Sequence, residues 1–132
     1  MNYIFKTNTD DALRQKIMGI NATYDYGGIT KFEKMTRKTF QELYDNGFID
    51  VEDCYNSSPT HGEYKELLHQ YPEETIYLHG YIVSPERDDF RLTIEGVEAQ
   101  SKNKEFLKAF KSLFGDADSF VCKNGEQYCW YD

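Results

Sequence analysis

Near the C-terminal end, Asn124-Gly125 separates two aromatic, β-prone runs, residues 120–123 and 126–131. Asn-Gly is the pair a type I′ turn asks for. Both central residues then take positive φ, and the turn joins two antiparallel strands. A two-residue loop allows one register, with Lys123 opposite Glu126, Cys122 opposite Gln127 and Phe120 opposite Cys129. The end of the chain is thereby committed to an antiparallel sheet.

A second hairpin is written upstream. Over residues 75–83, Ile76, Leu78 and Ile82 alternate with Tyr77, His79, Tyr81 and Val83; over residues 90–97, Phe90, Leu92 and Ile94 alternate with Arg91, Thr93 and Glu95. Alternation of this kind places one set on a buried face. Residues 2–6 add a short first strand by their β-branched and aromatic content, with no leader character.

Four helices are expected between the strands. Thr9-Asp10-Asp11 opens the first, which runs to about Met18. Thr30 and Glu33 fit a capping box for the second, with Phe32, Met35, Phe40 and Leu43 on one face and Lys31, Lys34, Arg37 and Lys38 opposite. Asn46-Gly47 stops it, with Phe48 placed for a Schellman contact to Leu43. The third opens at Ser58-Pro59 or at the capping box Thr60…Glu63 and carries Tyr64, Leu67, Leu68 and Tyr71. The fourth, over about 102–114, carries Phe106, Leu107, Phe110, Leu113 and Phe114, and Gly115 closes it. Strands paired by hairpins with helices on one face make an α+β fold, here an antiparallel sheet of four to five strands with about four helices. With 132 residues and no linker-like tract, residues 1–132 form one domain.

Charge bears on partners. Fifteen Lys and Arg against 23 Asp and Glu give a net of −8, which disfavours coating nucleic acid. No apolar run has membrane length. Cys54, Cys122 and Cys129 follow no disulfide pattern, and reduced thiols in a cytoplasm are the simplest expectation. Diagonal placement of Cys122 and Cys129 across the terminal hairpin separates them by roughly 7–8 Å, too far for an unstrained bridge.

Catalytic and metal signatures are weak. Glu52 and Asp53 precede Cys54 and would raise its thiol pKa, against a dyad with His61, His69 or His79. Asp116-Ala117-Asp118 lacks the glycine and distal glutamate of a calcium loop. Asp50, Glu52 and His61 make a solvated acidic turn more readily than a metal site, and no cofactor or metal is expected. Gly27-Gly28 has no phosphate-loop pattern around it.

Two segments, residues 43–49 (Leu-Tyr-Asp-Asn-Gly-Phe-Ile) and 91–96 (Arg-Leu-Thr-Ile-Glu-Gly), resemble phrases of winged-helix regulators. The resemblance covers fragments and implies a nucleic-acid regulator acting through Lys31, Lys34, Arg37 and Lys38. The expected order of helices does not match that family's, and nucleic acid remains the less favoured partner.

Aromatics supply the leading functional candidate. They make up 16% of the chain, with 11 Tyr, 9 Phe and 1 Trp. Helical spacing explains most of the Phe as core. Tyr77, His79 and Tyr81 face away from the apolar side of their strand, and Tyr24 and Tyr26 lie in a loop. Tyr favours interfaces because it offers an apolar body and a polar tip. The expectation is a small acidic interaction module (an inhibitor, immunity-type or adaptor protein) that takes a protein partner, a basic one by charge. The alternative is a small hydrolase using His79 or the Asp50, Glu52, Asp53 cluster.

Overall fold

The computed structural model describes residues 4–132. In chain order it contains α1 (Asp11–Met18), β1 (Ile29–Met35), α2 (Arg37–Asp45), α3 (His61–Gln70), β2 (Ile76–Val83), β3 (Leu92–Ala99), α4 (Lys104–Phe114), β4 (Ser119–Lys123) and β5 (Glu126–Trp130). All neighbouring strands are antiparallel, in the order β1-β2-β3-β5-β4. The fold is α+β.

The terminal hairpin has the register its turn dictates. Asn124 and Gly125 take φ of 54° and 76°, and Lys123↔Glu126, Cys122↔Gln127 and Phe120↔Cys129 pair. β2 and β3 pair as the second hairpin. Helix boundaries also follow their local chemistry. Thr60 and Glu63 close a reciprocal capping box on α3. At the end of α2 the Phe48 N–H donates to the Leu43 carbonyl and the Gly47 N–H to that of Tyr44, with Gly47 at φ 82°. That is a Schellman stop, and both Leu43 and Phe48 are buried.

Two expectations fail. Residues 4–6 are in no strand, and residues 2 and 3 lie outside the described residues. The fifth strand is instead residues 29–35, the stretch expected to begin the second helix. The cause is a β-bulge. Phe32 faces Gly80 and Met35 faces Leu78, so Glu33 and Lys34 together oppose His79, with Lys34 at φ 53°. One inserted residue stretches the two-residue spacing of a strand to three, which mimics a helical turn. Thr30 therefore caps nothing. Thr36 caps the real α2, accepting the Thr39 N–H through its side chain.

The core lies on one side of the sheet. Phe40, Leu43, Tyr64, Leu67, Phe106, Phe110 and Phe114 from α2, α3 and α4 meet Leu78, Ile82, Ile94, Val97 and Cys129 from the strands. Alternation sends Tyr77, His79, Glu98, Tyr128 and Trp130 to the opposite side, and none of these belongs to the core.

Candidate functional site

The side of the sheet away from the core is built from cross-strand rows. One row runs Tyr77, Glu98, Tyr128, Val121 across β2, β3, β5 and β4; the next runs His79, Gly96, Trp130, Ser119. In the second row the glycine is required. A Cβ on Gly96 would stand 2.0 Å from the Cys129 carbonyl oxygen and 2.5 Å from the His79 Nε2. Its absence lets the imidazole lie flat on the sheet, where Tyr128 stacks on it at 5.2 Å between centroids. A second bulge accompanies this point: β3 skips Glu95 between Ile94, which faces Gly80, and Gly96, which faces His79.

Charges frame these rings. Lys31 Nζ lies 5.8 Å from the centre of the Trp130 ring, and Lys34 Nζ lies 5.5 Å from that of Tyr77. Lys34 also bridges Glu98 at 3.3 Å. Burial pushes the Glu95 carboxyl above the ordinary value, while Lys31 and the Trp130 side chain pull the other way. Burial holds His79 below the ordinary imidazole value, against the Cys129 carbonyl, Glu98 and Glu33. Its Nε2 is sealed from solvent and makes no hydrogen bond of good geometry among the described residues. Two shallow hollows, of about 540 and 380 Å³, adjoin on this face and share Lys34, Glu98 and Tyr128.

Of the five residues proposed as an interaction face, the structure brings Tyr77, His79 and Tyr81 together on this side. The Tyr81 end is closed. Arg91 donates to the Tyr81 hydroxyl at 2.8 Å and lies 4.0 Å over the ring of Tyr55. Tyr24 serves the interior: its hydroxyl donates to Asp11 and accepts from the buried Arg14. Tyr26 is 84% exposed on the turn before β1, apart from the rows.

The four-residue basic helix face does not exist as such. Lys31 and Lys34 belong to β1 and border the aromatic rows, whereas Arg37 and Lys38 sit on α2. Arg37 is spent on structure, donating to the carbonyls of Leu68, Tyr71 and Glu74 at the end of α3.

Other polar candidates are likewise committed. His61 is fully buried, accepts the Ile94 N–H at Nε2 (3.2 Å) and donates from Nδ1 to the Asp50 carbonyl (3.0 Å). That assignment of tautomer follows from the network and fits the burial that lowers its pKa. With both ring nitrogens engaged, His61 cannot join Asp50 and Glu52 around a metal. Among the described residues no three His, Cys, Asp or Glu side chains converge as a metal cluster. All three cysteines are free, and burial pushes the Cys129 thiol up to about 12.

Sequence reasoning left Tyr128, Trp130, Glu95 and Glu98 out of the site. The first two were within reach: the Asn-Gly register pairs Gln127 and Cys129 with the core side, which sends Tyr128 and Trp130 to the other. No family model matches the chain, and none of the curated proteins or solved structures compared with it matches either.

Proposed function

We propose that this protein is a non-enzymatic interaction module that binds a protein partner, stoichiometrically, through the aromatic side of its sheet. One observation carries the reading: the core helices lie against one side, and Tyr77, Tyr128 and Trp130 stand on the other among paired charges. Aromatic rings ringed by polar groups are what interfaces use as anchors. The commitment of His61, Arg37 and the Cys129 thiol to internal roles is compatible with that reading, as is an inhibitor, immunity-type or adaptor role in a reducing cytoplasm.

The experiment places a photocrosslinking phenylalanine analogue at position 128, and separately at Lys108 on α4, in cells that make the protein naturally. The reading expects one discrete adduct from position 128, in stoichiometric yield with the partner that copurifies, and none from position 108. Equal adducts from both positions, or none from 128, overturn it.

A further inference from the structure

Resting on the reading above, we infer that the partner docks a cationic side chain, an arginine by preference, onto Glu98 between the rings of Tyr77 and Tyr128. The three residues are direct cross-strand neighbours on β2, β3 and β5. Opposed side chains in such a row stand about 4.5–5.5 Å apart at Cβ, so the carboxylate is flanked by a phenol on each side. Glu126 brings a second carboxylate to the same hollow of about 540 Å³.

Local charge points the same way. The two adjoining hollows are lined by Lys31 and Lys34 against Glu33, Glu95, Glu98 and Glu126, within a chain of net charge −8. A cation of the protein's own already marks the position: Lys34 Nζ contacts Glu98 at 3.3 Å and lies over Tyr77. Its side chain is 65% exposed, and an exposed lysine bridge of this kind is weakly held. A guanidinium would outcompete it. The planar fork takes a carboxylate with two parallel hydrogen bonds while its faces stack on aromatic rings, which a single ammonium cannot do. Lys34 is then an internal placeholder that the incoming arginine displaces.

The probe is a blocked hexapeptide of alternating arginine and serine, set beside the same peptide with citrulline, the neutral isostere, in place of arginine. Calorimetry and amide NMR shifts are the readouts. The arginine peptide is expected to shift the amides of Tyr77, Glu98 and Tyr128, and the citrulline peptide to bind at least tenfold more weakly. Glu98→Gln should weaken binding about tenfold, whereas Glu66→Gln on α3, with the same change in net charge, should leave it within twofold. Lys34→Gly, which keeps the positive φ, should tighten it. Equal losses from Glu98→Gln and Glu66→Gln, shifts scattered over the acidic surface, or equal binding of the citrulline peptide would each overturn the inference. If these occur while position 128 still gives its discrete adduct, the arginine site falls and the interaction reading stands. If the adduct also fails, both fall.

Discussion

At the scale of single residues, the two buried histidines do opposite local jobs with the same thermodynamic consequence. His61 closes the edge of β3 by accepting the Ile94 N–H, and His79 supports Tyr128 from beneath. Burial lowers the pKa of both below 6.5. Both are depressed groups, so they contribute stability that is present above the unfolded value and lost as pH falls toward the native values. In that window the unfolded chain binds protons that the native state refuses, and stability rises with pH. Urea unfolding should therefore show lower stability at about pH 5.5 than at about pH 7.5. The double variant His61→Gln, His79→Gln should lose that rise over the same interval, leaving only the opposite, smaller slope of the raised Glu95 carboxyl. NMR titration of the imidazole carbons gives the independent check: native midpoints at or above 6.5 would refute the assignment.

At the scale of elements, legibility followed how local the determinants are. The Asn124-Gly125 register, the Thr60–Glu63 capping box and the Gly47 stop each depend on a few adjacent residues, and each formed as its chemistry required. β1 did not read as a strand because its bulge is decided by the partner strand: Glu33 and Lys34 share His79. Phe32 and Met35 are then three apart for a reason that periodicity cannot distinguish from a helix. The same bulge put Lys31 and Lys34 on the wrong element, whereas alternation set Glu95 on the side away from Leu92 and Ile94, where it lines the hollow. The face itself was partly legible, since Tyr77 and His79 follow from simple alternation. The bulge makes a specific demand of Lys34, which sits at φ 53°. Lys34→Gly forfeits the Glu98 bridge, worth about 0–1 kcal/mol when exposed, and relieves a left-handed strain of about 1 kcal/mol. It should leave the urea midpoint unchanged or slightly higher. Lys34→Ile puts a β-branched side chain in that region and should cost about 1–2 kcal/mol. Equal stability of the two variants would mean that β1 does not hold this bulge.

At the scale of the whole molecule, the fold divides its aromatic residues by task. Phe110 is fully buried on α4, in contact with the rings of Phe106, Phe114 and Phe120, and belongs to the core. Tyr128 is 38% exposed on β5 and touches chiefly the sheet beneath it through His79. If one side of the sheet carries stability and the other is kept for a partner, the two substitutions must separate. Phe110→Ala empties a site enclosed on all sides, where transfer and cavity terms together cost about 3–5 kcal/mol. Tyr128→Ala removes a half-exposed ring and one stacking contact, for about 0.5–1.5 kcal/mol. Urea unfolding of both variants at neutral pH reads the difference directly. A loss for Tyr128→Ala as large as that for Phe110→Ala would mean that the aromatic rows are a second core, maintained for the protein's own stability. A small loss, accompanied by disappearance of the arginine-peptide shifts at Tyr77 and Glu98, would mean that the ring is held on the surface for what it binds.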